Sequence, residues 1–387
     1  YLDQAEAGDV HAMRMLGVQA LDSDSGIIDI QGGGLHGLCA PGDVIDCGNS
    51  GTTMRLLMGV LAAQKFPSRL TGDQYLRKRP MDRVIKPLRM MGARLRGQEG
   101  DRLAPIDIEG AHLHPIEYVS PVASAQVKSA ILLAGLYCAG TTSVREPHKS
   151  RDHTERMLSQ FSAQIRVDAR SATVTGPARL RGQEISVPGD ISSAAFFLAA
   201  AAMLPGSELI VKNVGLNPTR AGILDALERM GAQMEGVRAL DTDLDEPARD
   251  VVIRGGGALR AIHITSPDIP RLIDEIPVIA ALALRAEGVT VIEGAGELRV
   301  KETDRISALA KNLKILGASV TENADGLVIE GPQRLRGGTV DSFGDHRIAM
   351  AMAVAALAAE ESVTITDTAC VSTSFPGFFR ALREIVR

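Results

Sequence analysis

Hydrophobic positions along the chain recur with two alternating periods. In ISALAKNLKILGA, residues Ile306, Leu309, Leu313 and Leu316 fall at helical spacing, which defines one apolar face of an amphipathic helix. Such a helix, ending in an apolar residue plus a small pair and followed by a strand, a turn and a second strand, is written five times. The phrases are MRMLGVQALDSDSGIIDIQG, LRMMGARLRGQEGDRLAPIDIEG, LSQFSAQIRVDARSATVTGP, LERMGAQMEGVRAL with DVVIRGG, and NLKILGASVTENADGLVIEGP. Their hinge residues Gly17, Gly92, Ser162, Gly231 and Gly317 are spaced by about 70 to 86 residues, and self-similarity at a steady period marks stacked supersecondary units. Each hinge sits where a helix C-cap calls for a left-handed residue. A sixth helix, FPGFFRALREIVR, ends the sequence without its strands. An amphipathic helix needs a sheet face to cover, so a segment ahead of Tyr1 is the expected donor.

Six units divide into two lobes of three. The sequence therefore predicts an α/β architecture with lobes at 1–213 and 214–387, broken in KNVGLNPTR, where Gly, Asn and Pro interrupt the pattern. Periodicity leaves open whether the helices lie inside and the sheets outside or the reverse. The longest apolar stretches, AAFFLAAAAML and IAMAMAVAALAA, fall short of the roughly 18 residues of a membrane span and read as buried helices. With no Trp and only 3% aromatic residues, the core must be built from Leu, Ile, Val, Ala and Met. A formal charge of -5 gives no electrostatic footprint for nucleic acid. Cys39, Cys47, Cys138 and Cys370 are far apart with no pair at metal-ligand spacing, which suits free thiols in a reducing cytoplasm and no metal site.

Charge changes the picture at the helix starts. RVKETDR, residues 299 to 305, sets Lys301, Glu302, Asp304 and Arg305 directly ahead of the helix that begins near Ile306. Alone, such a cluster is an ordinary solvated helix start. Arg347 in GDHRIAM likewise precedes a strongly apolar helix, and Arg79 stands before Pro80, a residue favoured at the first helical position. A cation there opposes the helix dipole by a few tenths to about 1 kcal/mol, and three such arginines call for a compensating anion. The turns DCGNSGTTMR and VPGDISSAAF are ordinary caps taken singly. With the arginines, they predict a site for small, multiply charged, oxygen-rich substrates. Asp274 and Glu275 at the edge of an apolar helix, and Glu302 between Lys301 and Arg305, are the candidate proton carriers. His153 and His346 are weaker ones.

The phrases GNSGTTMR, LTGDQYLRKRPM, SAQVKSA, GDISSAAF, DEIP, RVKETDR and GDHRIAM occur in the order of a known family. The chain resembles the 3-phosphoshikimate 1-carboxyvinyltransferases, also called 5-enolpyruvylshikimate-3-phosphate synthases, and within them the class II subgroup. The resemblance implies the two-lobed enolpyruvyl transferase fold, with three βαβαββ units per lobe about a pseudo-threefold axis. It implies transfer of the enolpyruvyl group of phosphoenolpyruvate to the 5-hydroxyl of shikimate 3-phosphate, without cofactor or metal, by a cytoplasmic monomer with no nucleic-acid or membrane partner.

Carried over by position, Gly51, Arg79, Gln126, Arg305 and Arg347 are the implied phosphoenolpyruvate ligands. Ser124, Ala125, Gln126, Arg151, Asp274 and Lys301 are the implied shikimate 3-phosphate contacts. Asp274, Glu302 and Lys301 are the implied catalytic groups, with Asp274 taking the hydroxyl proton and Glu302 exchanging one with the methylene carbon. The family's N-terminal Gly-Asp-Lys-Ser turn has no match in residues 1 to 20. Two other readings compete. One is the sibling transferase acting on UDP-N-acetylglucosamine, whose loop cysteine is absent from Thr71 to Met81. The other is a non-catalytic remnant of the fold.

Overall fold

The computed structural model describes residues 9–22, 27–237 and 246–386. The parts of two repeat phrases at 23–26 and 238–240 lie outside them. The chain forms two compact units, and the break falls between Ile185 and Ser186.

In the first unit, two four-stranded sheets follow one plan. Strand Ile45–Asp46 runs parallel to Ser68–Thr71, and Leu103–Glu109 and Arg94–Gly97 continue the sheet antiparallel. Glu117–Val119, Gly140–Arg145, Ser171–Gly176 and Gln164–Asp168 repeat that order. Parallel neighbours require a crossover, and the helices Gly51–Leu61 and Ala125–Gly135 provide it. The helices Asp82–Met90 and His153–Gln160 then lead into the antiparallel strands. Each sheet is thus one βαβαββ unit, and the helix Asp9–Met15 with the hairpin Gln19–Asp22 and Ile28–Gln31 has the form of the end of another.

The second unit uses the same plan. Strands His263–Ile264, Gly288–Ile292, Gly326–Gly331 and Val320–Asn323 form one sheet. Glu208–Gly215, Ala248–Arg254 and Gln233–Glu235 form another, extended by a parallel bridge from Gly189 to Val214. A parallel pair, Gly338–Asp341 and Val363–Thr366, precedes the final helix Phe378–Ile385. That helix buries Phe378 completely, edge-on to Phe196 at 5.9 Å between ring centroids.

The helices are inside and the sheets outside. Strand Leu103–Glu109 alternates, turning Ala104, Ile106 and Ile108 inward, whereas the helices Ile191–Met203, Ile276–Ala283 and His346–Ala356 are buried nearly all round. Alanine makes up much of their surfaces, and small side chains let three buried helices approach one another. The five hinges are left-handed as their positions predict, with φ of 82° at Gly17, 92° at Gly92, 64° at Ser162, 88° at Gly231 and 85° at Gly317. Among these five hinges only Ser162 carries a Cβ, at a cost of roughly 1–2 kcal/mol.

The expected break at 213/214 is corrected. Residues 208–215 are a strand, and the interruption read as a linker is a register shift between Val211 and Val214, with Asn213 at φ 50° donating its N–H to Asp250 at 2.8 Å. A bulge uses the same residues as a linker. Beyond it, NPTR is a tight turn in which Asn217 Oδ1 accepts from Thr219 N–H and Oγ–H at 2.9 and 2.6 Å. The irregular segment 178–188 carries the break instead. All four cysteines are free. No helix among the described residues is long and apolar enough to cross a membrane.

The helices Gly51–Leu61 and Ala125–Gly135 touch at Gly59, where an added Cβ would lie 2.2 Å from the carbonyl oxygen of Ala130. That oxygen is backbone and cannot swing away. Gly59→Ala is expected to lower stability by about 3 kcal/mol through overpacking, read as a lower midpoint of chemical denaturation; an unchanged midpoint would show that the helix contact is looser than described.

Candidate active site

Each unit gathers its share of the candidate residues at helix starts. In the first, Ser50 caps Gly51–Leu61 by accepting from Thr53 N–H at 3.2 Å, and Ser124 caps Ala125–Gly135 by accepting from Val127 N–H. The two starts are joined side chain to side chain. Gln126 donates from Nε2 to Thr52 Oγ1 at 2.7 Å and accepts at Oε1 from Arg55 Nη1 at 2.9 Å. Arg55 also donates to Pro80 O at 3.0 Å. Burial, with Arg79 and Arg83 nearby, lowers its pKa to about 10.

Arg79 donates to Asn49 Oδ1 at 3.1 Å, and Asn49 is held in turn by Asp73 at 2.6 Å. Asp73 caps the short turn Leu76–Lys78 through the N–H groups of Tyr75 and Leu76. This corrects the place of Arg79. Its helix begins at Asp82, not Pro80, so Arg79 ends a 3-10 turn instead of opening a helix. Gly51 faces both guanidiniums, since an added Cβ would stand 2.5 Å from Arg55 Nη1 and 3.5 Å from Arg79 Nη1. Ser124, Ala125 and Gln126 therefore share one turn beside Gly51, and Arg151 lies half-buried in the turn before His153–Gln160.

In the second unit the expected arginines are first-turn residues: Arg305 opens Arg305–Ile315 and Arg347 is second in His346–Ala356. Their charges are compensated by carboxylates from other segments. Arg305 is 1% exposed. Its Nε donates to Asp345 Oδ2 at 2.7 Å, its Nη2 to Glu302 Oε2 at 2.6 Å, and its Nη1 lies 3.5 Å from Asp274 Oδ1. That Nη1 is buried and forms no hydrogen bond among the described residues. Arg347 donates to the carbonyl of Asp274 at 3.0 Å and approaches its Oδ1 at 4.0 Å.

Asp274 is thus shared by both arginines. Burial by itself would lower the pKa of Arg347, but Asp274, Glu275, Asp190 and Asp345 hold it above the ordinary value. Glu275 behaves in the opposite sense. Fully buried and bonded by Ser192 Oγ–H, it is raised by desolvation despite Arg347. Ser192 also accepts from Arg220 at 2.6 Å, and Arg220 pairs with Asp190 at 2.8 Å. The starts of Ile191–Met203, Ile276–Ala283, Arg305–Ile315 and His346–Ala356 are therefore tied together by ions, and free helix N–H groups favour anions there. Lys301 follows the turn Gly296–Val300 and has no hydrogen bond or ion pair among the described residues.

Three side chains of these clusters escaped the sequence reading: Arg55, Arg220 and Asp345. Arg55 was discoverable, because four residues past Gly51 is the same face of one helix. Asp345 is a cap whose free oxygen meets Arg305 only through the tertiary fold.

His346 begins its helix beside Arg347, and burial, then that arginine, lowers its pKa to about 4. An unfolded histidine titrates near 6.5, so below that pH the unfolded chain binds a proton that the folded chain refuses. The stability contributed by neutral His346 is complete above pH about 6.5 and is lost as pH falls towards about 4. His346→Gln should flatten the pH dependence of the thermal midpoint across this window; superimposable profiles would contradict the assignment.

Comparison with known proteins matches residues 8–382 to the family model of EPSP synthase (3-phosphoshikimate 1-carboxyvinyltransferase). The 3-phosphoshikimate 1-carboxyvinyltransferase of Geobacter sulfurreducens is 55% identical over 97% of this chain and 86% of its own length. That of Citrifermentans bemidjiense is 53% identical over 98% and 87%. Among solved structures, EPSP synthase from Acinetobacter baumannii superposes with a TM-score of 0.88 at 44% identity, covering 97% of this chain and 86% of that one. The enolpyruvyl transferase NikO from Streptomyces tendae, at 19% identity and TM-score 0.74 over 97% and 85%, shares the fold. With the enolpyruvyl transferase fold and a match along nearly its whole length, the chain belongs to the EPSP synthase family of 3-phosphoshikimate 1-carboxyvinyltransferases.

Proposed function

We infer that the protein transfers the enolpyruvyl group of phosphoenolpyruvate to the 5-hydroxyl of shikimate 3-phosphate and releases phosphate, a step of the shikimate pathway towards aromatic amino acids. The observation that carries this reading in the site is Asp274, a carboxylate contacted by both Arg305 and Arg347, with Glu302 bonded to the far side of Arg305. Proton carriers and anion-binding groups are then neighbours.

In this reading Gly51, Arg79, Gln126, Arg305 and Arg347 are the ligands of phosphoenolpyruvate. Ser124, Ala125, Gln126, Arg151, Asp274 and Lys301 bind shikimate 3-phosphate. Glu302 gives a proton to the methylene carbon, C2 becomes electrophilic, and the 5-hydroxyl oxygen adds to it while its proton passes to Asp274. The tetrahedral adduct collapses as the C2–O bond to phosphate breaks. Glu302 takes a proton back from the new methyl group, and the proton on Asp274 leaves with the phosphate. Guanidiniums already fixed by buried carboxylates need no reorganisation when charge develops, which is the basis of electrostatic stabilisation.

UDP-N-acetylglucosamine is not favoured as acceptor. The relatives at 51–55% identity carry the shikimate name, and Thr71 to Met81 contains no cysteine. A phosphate-release assay with phosphoenolpyruvate should give turnover with shikimate 3-phosphate and only background with UDP-N-acetylglucosamine; the reverse pattern would overturn the assignment. Arg347→Met, judged folded by circular dichroism, should lose about a hundredfold or more in kcat/KM for phosphoenolpyruvate. Wild-type values would remove Arg347 from the ligand set.

A further inference from the structure

Outside the cluster of the second unit, the first unit buries an ionic group of its own. Lys128, Glu146 and Glu155 are each 3–4% exposed. Lys128 Nζ lies 3.1 Å from Glu146 Oε2 and 2.7 Å from Glu155 Oε1. Two carboxylates against one ammonium is an excess of negative charge in a buried place, and desolvation, only partly opposed by Lys128, raises the pKa of Glu155. Replacing a buried ion group with apolar side chains is often neutral or stabilising, so stability alone is a weak reason for this one.

Its geometry suggests a different reason. Glu146 follows the end of strand Gly140–Arg145 and is held to the sheet by its own N–H, which donates to Arg170 O at 2.8 Å. Its two carboxylate oxygens then reach in two directions. Oε1 accepts the backbone N–H of Ser124 at 2.8 Å. Oε2 accepts Ser150 Oγ–H at 2.8 Å and lies 3.4 Å from Ser150 N. Ser124 opens the turn Ser124–Ala125–Gln126, and Ser150 immediately precedes Arg151. Lys128, one turn into the helix that Ser124 caps, fixes the rotation of the carboxylate between the two. The arrangement is reinforced where Ser129 Oγ meets Thr154 Oγ1 at 2.6 Å and where Asp152, beside Arg151, pairs with Lys149 and Arg156 at 3.0 and 3.1 Å.

We propose that Glu146 is a positioning residue whose single carboxylate, oriented by Lys128, sets both the Ser124–Gln126 turn and the Ser150–Arg151 turn for shikimate 3-phosphate. The proposal rests on the assignment of those turns to that substrate. A charge-assisted hydrogen bond to a backbone N–H is among the stronger ones a carboxylate makes. One group shared by two loops also makes their positions interdependent, and a displacement of about 1 Å in a binding group is costly to turnover.

The test uses the whole chain and two readouts. The first is amide hydrogen exchange of the substrate-free protein. Glu146→Gln should accelerate exchange in peptides covering residues 122–128 and 147–153 together, while the strand Ser68–Thr71 stays as in the wild type. Acceleration of one turn alone, or of neither, overturns the coupling whether or not the protein has the proposed activity.

The second readout is steady-state phosphate release. Glu146→Gln should raise KM for shikimate 3-phosphate about tenfold and KM for phosphoenolpyruvate by clearly less, because of the two turns only Gln126 also belongs to the proposed phosphoenolpyruvate ligands. A fall in kcat with both KM values unchanged would mark Glu146 as structural only and sink the proposal. Should Glu146→Gln fail to fold, Ser150→Ala removes just one of its hydrogen bonds and must shift the same KM in the same direction; an unchanged value is the contrary result. A wild type that turns over neither substrate would remove the functional assignment but not the exchange result.

Discussion

The second unit depends on a guanidinium that is almost wholly buried. Arg305 sits at the first position of its helix, 1% exposed and against the helix dipole. Such a charge is tolerable only with paired partners of good geometry, and removing one partner of a buried pair typically costs about 3–5 kcal/mol. Asp345, Glu302 and Asp274 supply that pairing from three different segments. The interaction brings the starts of three helices together and leaves Asp274 and Glu302, the proposed proton carriers, beside arginines.

The alanine-rich helices follow from this convergence. These helices also pack together in one core, where Ala194, Ala199, Ala280, Ala281, Ala349 and Ala353 keep the side chains between them small. The sheets then cover these helices from outside, and strands Ala248–Arg254 and Gly288–Ile292 turn alternate residues inward. In the first unit a single glycine, Gly59, serves the same end, letting one helix lie against the backbone of the next so that Gln126 can reach both Thr52 and Arg55.

Much of this was legible before any coordinates. The hinge positions were readable because a left-handed residue after a helix is a local demand, and even Ser162 meets it. The positions of Arg305 and Arg347 at helix starts were readable from apolar spacing. What was not legible was tertiary. The bulge at Asn213 and a linker have the same composition, and only pairing with Asp250 and the neighbouring strand separates them. Pro80 carries a helix-start signal, yet the turn that Asp73 holds ends at Arg79, just before it, and the helix begins only at Asp82. Lys128 and Glu146 lie eighteen positions apart, and nothing local announces that they meet.

The central claim is that buried carboxylates hold Arg305 and Arg347 ready for an anionic substrate. A crystal structure of the protein with shikimate 3-phosphate and an unreactive analogue of phosphoenolpyruvate tests it most directly. The account expects a carboxylate or phosphate oxygen of the analogue within about 3 Å of the Arg347 guanidinium and of Arg305 Nη1, the nitrogen without a hydrogen bond among the described residues. An analogue bound elsewhere, with both arginines keeping only their carboxylate partners, would contradict it.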